Sequence, residues 1–175
     1  MTEQRKGDWI QTATGKAFWP ADPRADEVCI RDIGHALANI CRYGGHCREF
    51  YSVAQHSVLV CRALPPKWQL WGLLHDASEA YVADVPRPLK LFLPNYRELE
   101  DGVMFAITTH FGLDHEMPAE VKRVDNAILA AEAEQIMLTP PHAWKLPEPP
   151  LNIRIEPWSA TSALRVFMQE FERLS

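Results

Sequence analysis

Residues 75–84 combine groups that can bind a metal or transfer a proton with the apolar pattern of a buried helix. The segment begins with the adjacent pair His75 and Asp76 and also contains Glu79 and Asp84. On a helix with one apolar face, two adjacent polar side chains cannot both point to solvent, so at least one points into the core or a cavity. Burying a carboxylate without a partner costs roughly several kcal/mol. A divalent cation is the simplest partner for this segment.

The apolar pattern of the chain predicts an all-α fold, a bundle of about six helices. Apolar residues recur at helical spacing in six stretches, which proline, glycine or capping residues bound. Ser52, Asn95 and Ser159 are the predicted N-caps of the second, fourth and sixth helices, and Gly112 ends the fourth. The predicted helices run from about 33 to a stop at 44–45, from 53 to the prolines at 65–66, from 67 to just before 84, from 96 to 112, from 118 through 129, and from 160 onward.

Two regions lack the helical pattern. Weak alternation over residues 9–19, around a turn at 14–15, predicts a small N-terminal β-hairpin. The stretch 139–157 predicts a proline-rich loop before the last helix, and a brief alternating segment within it could add a strand to the hairpin. The alternating residues are Leu151, Ile153 and Ile155. Since no internal repeat or second compositional region is visible, residues 1–175 are expected to form a single domain.

The composition is typical of a soluble globular protein, with 23% charged and 47% hydrophobic residues. A net charge of −5 argues against a general nucleic-acid binder, so no stable nucleic-acid partner is expected. The sequence has neither the pattern of a secretory signal nor a run of roughly 20 apolar residues. We therefore expect a cytoplasmic protein with no membrane partner.

The four cysteines contain no C-x-x-C pair, and a reduced protein explains them as buried free thiols. An alternative is a zinc site built from Cys41, His46 and Cys47. Free thiols are the preferred interpretation. The cysteines are Cys29, Cys41, Cys47 and Cys61.

Four polar side chains lie on the apolar side, or at the seam, of predicted helices. Two are imidazoles and two are carboxylates, a combination that suits a divalent first-row metal with positions open for water. Any one of them alone would be explained as a hydrogen-bonded core residue. Together they favour a metal site, because helices of a bundle bring distant side chains to one point. The four residues are His56, His75, Asp76 and Asp125.

These residues resemble the H…HD…D metal signature of the HD-domain phosphohydrolases. An extended run, H-D-x-x-E at 75–79 followed by D-x-P-x-P-x-K at 84–90, is similar to the small bacterial 5′-deoxynucleotidases and the related phage deoxynucleoside triphosphohydrolases. The resemblance covers roughly residues 42–125, half the chain. It implies an HD-domain helical bundle in which His56, His75, Asp76 and Asp125 hold one divalent metal ion, either Co2+, Mn2+, Zn2+ or Mg2+.

The resemblance also implies roles for residues around the metal. Glu79 would orient or deprotonate the attacking water, and Asp84 would lie near the sugar, where contact with the 3′-hydroxyl favours deoxynucleotides. Arg42 and Tyr43 would hold the phosphate, with tyrosine where tryptophan is more usual. Alternatively, Glu79 is a solvated helix residue and Asp84 caps the turn before Pro86.

Further substrate contacts are candidates only. Arg48 and Lys90 lie just outside the metal-site segments and could contact phosphate, although such side chains are commonly solvated. Trp19, with Trp9 and Phe18, could cover the base. Packing of the hairpin on the helices is the default role for such large aromatic side chains.

The sequence therefore predicts a metal-dependent phosphohydrolase that acts on deoxynucleotides. Hydrolysis of deoxynucleoside 5′-monophosphates to nucleoside and phosphate is preferred, and the alternative is a deoxynucleoside triphosphohydrolase that releases triphosphate. A third possibility is an inactive HD module that only binds a nucleotide or a partner, against which the intact ligand set and Glu79 argue. The resemblance further implies a homodimer or a higher homo-oligomer.

Overall fold

Helices and one short hairpin form the regular structure of residues 4–175, the part of the chain that the computed structural model describes. This architecture confirms the prediction of a mostly helical fold with an N-terminal hairpin. Single turns of 3-10 helix lie at Ala25–Glu27, Arg42–Gly45 and Pro66–Trp68. The elements are β1 (Ile10–Gln11), β2 (Ala17–Phe18), α1 (Ile30–Asn39), α2 (Val53–Ala63), α3 (Gln69–Leu74), α4 (Glu79–Val82), α5 (Arg87–Lys90), α6 (Tyr96–Phe111), α7 (Ala119–Gln135) and α8 (Ala160–Leu174).

The hairpin is attached to the helices at two points. Strands β1 and β2 pair antiparallel, with Ile10 opposite Phe18. In the turn, the backbone N–H and the hydroxyl of Thr14 donate to the two carboxylate oxygens of Asp32 in α1, at 2.7 and 3.0 Å. Phe18 is fully buried and stacks on Tyr81 of α4, with ring centroids 3.8 Å apart. Packing of Phe18 therefore joins the hairpin to α4.

The predicted helix ends are correct where a cap defines them. The side chains of Ser52 and Ser159 accept hydrogen bonds from the backbone N–H groups three residues later, at 3.1 and 3.2 Å, and so cap α2 and α8. Gly112 ends α6 in the left-handed conformation, with φ of +65°. Asn95 stands at the N-cap position of α6, but its side chain makes no capping hydrogen bond.

The predicted end of the first helix, at residues 44–45, is wrong, because α1 ends at Asn39. Residues 40 and 41 are extended, and the segment 40–42 pairs with residues 51–53 through backbone hydrogen bonds of 2.9 and 3.1 Å. This bridge competes with helical hydrogen bonding in 40–42. A left-handed turn over 43–45 then reverses the chain and leads into α2.

The predicted continuous helix from 67 to 83 is also wrong, since α3 ends at Leu74 and residues 75–78 form a turn. The Nδ1 of His75 lies 2.8 Å from the carbonyl oxygen of Gly72, at the end of α3. Backbone hydrogen bonds from residue i+3 to residue i tighten the chain through 75–78 before α4 begins. Ala83, with φ of +68°, ends α4 just before Asp84.

The proline-rich stretch does not extend the hairpin, so the predicted third strand is wrong: the described residues between α7 and α8 contain no strand. Helix side chains hold this stretch instead. The side-chain amide of Gln135 donates to the Ile153 carbonyl and accepts from the Ile155 N–H, both at 2.9 Å. Gln55 of α2 likewise bonds the backbone of Glu156 and Trp158, both at 2.8 Å.

Helix α2 lies at the centre of the fold and packs against α1, α3, α7 and α8. Most of its residues are buried, which places His56 in the interior. The contact with α3 is close at Gly72, where an added Cβ would lie 2.3 Å from Leu64 Cδ1 and 3.3 Å from Cys61 Cα. This approach of α3 to α2 brings the turn at 75–78 near His56. Within residues 4–175, no helix combines the length and apolar character needed to cross a membrane.

Candidate metal centre

The four side chains predicted as metal ligands lie near one another and come from α2, from the turn after α3 and from α7. The Nε2 of His56 lies 3.2 Å from the Nε2 of His75 and 3.2 Å from Asp125 Oδ1. Asp76 Oδ2 lies 3.2 Å from the Nε2 of His75 and 3.7 Å from that of His56. The ligand atoms of His56, His75 and Asp125 lie within 4.8 Å of one another, close enough to hold a single metal ion, whereas Asp76 lies beside this group and is not part of it.

Both histidines direct a lone pair toward this point. The Nδ1 of His75 must carry a hydrogen, because its partner at 2.8 Å is the carbonyl oxygen of Gly72, which only accepts. The Nδ1 of His56 lies 2.7 Å from a carboxylate oxygen of Glu132 and donates in the same way. In the neutral rings, each Nε2 is therefore unprotonated, and the two lone pairs face each other at 3.2 Å. This arrangement requires a cation or protons between the rings.

The two carboxylates provide the negative charge that such a cation needs. Burial alone would lower the pKa of His75, but the negative charges of Asp76 and Asp125 raise it to about 10. Burial opposes ionisation of Asp125, yet the two histidines hold the pKa of its carboxyl well below the usual range. Protons on the imidazoles therefore balance the carboxylates when no metal is bound.

Lys122 orients Asp125, a contact that the sequence analysis missed. Its ammonium donates to Asp125 Oδ2 at 2.8 Å, which leaves Oδ1 for the histidines. The sequence could have indicated this contact, because Lys122 and Asp125 are three residues apart on α7 and such residues are neighbours on a helix surface.

Glu132 is the second residue that the sequence analysis missed. Its carboxylate is fully buried and accepts hydrogen bonds from the hydroxyls of Tyr43 and Tyr51, at 2.5 and 2.8 Å, in addition to the Nδ1 of His56. Burial alone would raise the pKa of Glu132, but Arg42 and His56 hold it at about 2. Glu132 is therefore ionised, seven residues after Asp125 on the same side of α7.

Arg42 lies between the carboxylates of Glu132 and Asp76 and forms ion pairs with both. Its Nη2 lies 3.2 Å from Glu132 Oε2 and its Nη1 lies 3.5 Å from Asp76 Oδ2, while its buried Nε has no partner among residues 4–175. The predicted phosphate-binding arginine thus lies beside the metal cluster. Tyr43, predicted to contact phosphate with it, directs its hydroxyl to Glu132 instead.

Glu79 and Asp84 lie close enough to the cluster for the charges of Asp76 and Arg42 to affect the pKa of both carboxyls. Glu79 is only 6% exposed, and its Oε2 has no hydrogen-bond partner in the described part of the chain, so the alternative of a solvated helix residue is wrong. Burial, together with the negative charges of Asp76 and Asp84, raises the pKa of Glu79 well above its usual value. Asp84 is half-buried, and burial raises its pKa although Arg42 opposes the shift.

The other predicted substrate contacts are engaged elsewhere in the described structure. Lys90 forms an ion pair with Glu100 at 2.6 Å. Arg48 is exposed and donates to the backbone carbonyl of Gln135, at the end of α7. The guanidinium carbon of Arg5 lies over the Trp19 ring, 4.3 Å from the centroid of that ring. These contacts do not bring Arg48 or Trp19 to the cluster.

The cysteines are free thiols, as preferred from the sequence, but only Cys61 is fully buried and the other three are half-buried. Within residues 4–175, the grouping of side chains able to share an ion contains no cysteine. His46 of the alternative zinc site is exposed. Burial raises the pKa of the Cys47 thiol to about 11, which disfavours the thiolate that zinc requires.

The fold and this cluster define a helical protein with a buried His and Asp site that can hold a metal ion. No protein-family model matches the chain. The chain is 37% identical to the uncharacterized protein YfdR of Escherichia coli K12. The identity extends over 170 residues, which are 95% of this chain and 96% of YfdR. The chain belongs to the same family as YfdR. It is also 37% identical, over 145 residues, to the uncharacterized protein RCAP_rcc00048 of Rhodobacter capsulatus, covering 75% of this chain and 74% of that protein.

Proposed function

We propose that the protein is a metal-dependent phosphohydrolase of the HD superfamily that removes phosphate from deoxynucleoside 5′-monophosphates. The observation that carries the proposal is the pair of imidazole lone pairs, from His56 and His75, that face each other between two aspartates. Next to them lies Glu79, a buried carboxylate with an unpaired oxygen. A purely structural core has no need of this arrangement.

The donor set fits a divalent first-row ion. His56, His75, Asp76 and Asp125 would supply two nitrogen and two oxygen ligands, as zinc and related ions accept. The side chain of Asp76 is 21% exposed, whereas the two histidines are almost fully buried, so substrate and water would enter from the side of the aspartate. A bound ion would supply Lewis-acid chemistry, polarising a phosphoryl oxygen and increasing the acidity of a water molecule.

The neighbouring side chains suit proton transfer and phosphate binding. Glu79 has a raised pKa, so its ionised form is a stronger base than an ordinary carboxylate and would accept a proton from the attacking water. Arg42 carries a fixed positive charge beside Asp76 and retains an unpaired Nε, and would stabilise the negative phosphoryl group. Asp84, beyond α4, would contact the deoxyribose.

The ion pairs of the surrounding cations favour a monophosphate over a triphosphate. Three phosphate groups need several free positive charges. Lys90 is paired with Glu100, and Arg48 is bound to the end of α7. Arg42 and Lys122 lie beside the cluster, and both are already ion-paired with its carboxylates, so little free positive charge remains, which supports the smaller substrate.

The test is a turnover screen of the metal-loaded protein. Deoxy- and ribonucleoside mono- and triphosphates would be incubated with the protein and Co2+, Mn2+, Mg2+ or Zn2+, and the products identified by 31P NMR. Inorganic phosphate and nucleoside from deoxynucleoside monophosphates would support the proposal. Triphosphate release from deoxynucleoside triphosphates would replace it with the alternative hydrolase. Metal binding without turnover of any nucleotide would leave a module that only binds.

A further inference from the structure

Glu132 is the most constrained carboxylate of the site, although it does not face the point where the ligand atoms meet. It is fully buried and receives four donors: Tyr43 and Tyr51 hydroxyls, His56 Nδ1 and an Arg42 Nη. Two donors reach each oxygen, so the carboxylate cannot rotate without breaking several hydrogen bonds. Such a group holds its neighbours in fixed positions.

Through His56, Glu132 acts on the metal-facing nitrogen. Its Oε1 lies 2.7 Å from the Nδ1 of His56, which keeps the ring hydrogen on Nδ1 and the lone pair on Nε2. A carboxylate in this position also makes the opposite nitrogen a stronger donor to a cation. The gap of 76 residues between Glu132 and His56 is closed by the packing of α7 on α2.

Through Arg42, Glu132 also acts on Asp76. The guanidinium lies between Glu132 Oε2, at 3.2 Å, and Asp76 Oδ2, at 3.5 Å. If Glu132 lost its charge, Arg42 would retain Asp76 as its carboxylate partner in the site and compete with a metal ion for that oxygen. Glu132 therefore helps to keep two of the four proposed ligands, His56 and Asp76, available to the cation.

We propose that Glu132 is a positioning residue that sets the affinity and geometry of the metal site, by fixing the ring of His56 and by drawing Arg42 away from Asp76. The inference rests on the metal site of the proposed function but not on the substrate. Tyr43 and Tyr51 take part by holding Glu132 in place.

The test compares Glu132→Gln with Glu134→Gln, using Co2+ as the probe. Glu134 lies on the same helix but is exposed, so its variant is a matched control. We expect Glu132→Gln to weaken Co2+ binding about ten- to hundredfold in competition with a chelator, and to change the visible absorption spectrum of the Co2+-saturated protein. Glu134→Gln should bind as the wild type does. Wild-type affinity and an unchanged spectrum in folded Glu132→Gln would overturn the inference.

Tyr51→Phe keeps the test decisive if Glu132→Gln does not fold. This variant removes one donor to Glu132 and no candidate ligand, and we expect about a severalfold loss of Co2+ affinity. Wild-type affinity in Tyr51→Phe, with Glu132→Gln unfolded, would overturn the inference. A wild-type protein that binds Co2+ but hydrolyses no nucleotide would refute the proposed function alone, because these readouts do not depend on turnover.

Discussion

The Nε2 atoms of His56 and His75 face each other at 3.2 Å while the Nδ1 of each ring is already hydrogen-bonded to an acceptor. Two neutral imidazoles in this orientation would bring lone pairs together. The cluster is therefore stable only with protons or a cation between the rings, and the two carboxylates around it favour either. Metal binding and proton binding should compete at this point.

The first prediction is that metal binding releases protons. The pKa of His75 is about 10 in the metal-free protein, so the ring is protonated at pH 7.5 and must lose its proton when a cation binds. Metal affinity should therefore rise as the pH increases from 6 to 9. Calorimetry in two buffers of different ionisation enthalpy should detect release of at least one proton per ion. A pH-independent affinity without proton release would contradict this.

The same histidine sets a pH dependence of stability in the metal-free protein. Its pKa in the folded state is raised to about 10, from 6.5. Its contribution to the free energy of unfolding is thus fully present below pH 6.5 and is lost as the pH rises through 10. Urea denaturation of the metal-free wild type and His75→Gln should show a difference that narrows from pH 6.5 to 10. A constant difference would argue against the protonated ring.

Glu79→Gln should separate chemistry from metal binding. The variant keeps the shape of the side chain and all four candidate ligands, so the metal should stay bound. Turnover should fall about 100- to 10,000-fold, because the proton acceptor is lost. Thermal stability should remain or increase, since a raised carboxyl pKa means that ionised Glu79 destabilises the fold at neutral pH.

The matched control for that experiment is Glu98→Gln. Glu98 is exposed in the first turn of α6, and its variant should retain wild-type turnover. Equal activity of both variants would remove Glu79 from the proposed mechanism.

Gly72→Ala should disturb the site by separating two helices. The added methyl group would force the Leu64 side chain to move, and its approach to Cys61 Cα at 3.3 Å would shift α3, with His75, by about a few tenths of an ångström. We expect a loss of roughly 1–3 kcal/mol in the free energy of unfolding and weaker metal binding. Gly102→Ala, on α6, is the control: its nearest neighbour, Pro23, is 3.8 Å away, and better helix propensity should stabilise the protein slightly. Unchanged metal affinity in Gly72→Ala would contradict the predicted link between packing and site.

Phe18→Ala should test the attachment of the hairpin. Phe18 is fully buried against Tyr81, so its removal should cost about 3–5 kcal/mol in urea denaturation. Trp9 directly precedes β1 and its side chain is 50% exposed, so Trp9→Ala should cost much less. Similar losses for both variants would show that the stacking contact does not anchor the hairpin.

The sequence predicted the parts of the fold that depend on local chemistry. Ser52, Ser159 and Gly112 bound helices because a hydroxyl accepts from a free N–H and because glycine adopts positive φ at low cost. The four candidate ligands were found because polar residues on apolar helix faces are rare. Their convergence could be expected for helices of a bundle, without the distances.

The remaining features depend on contacts between distant segments. The pairing of residues 40–42 with 51–53 ended α1 early, and the hydrogen bond of His75 to Gly72 accompanies the break after α3. Glu132 was missed because the predicted helix was followed only to Leu129, six residues short of the end of α7. Its partners lie more than 70 residues away in the sequence.

The metal stoichiometry of the purified chain is the most direct test of the metal centre. Equilibrium dialysis against Co2+, followed by metal analysis, should give about one ion per wild-type chain and a large loss of binding in His75→Ala, because one of four ligands is removed. Circular dichroism would establish that the variant remains helical. If the folded wild type binds no divalent ion, or if His75→Ala binds it as tightly as the wild type, the assignment of the metal centre is wrong.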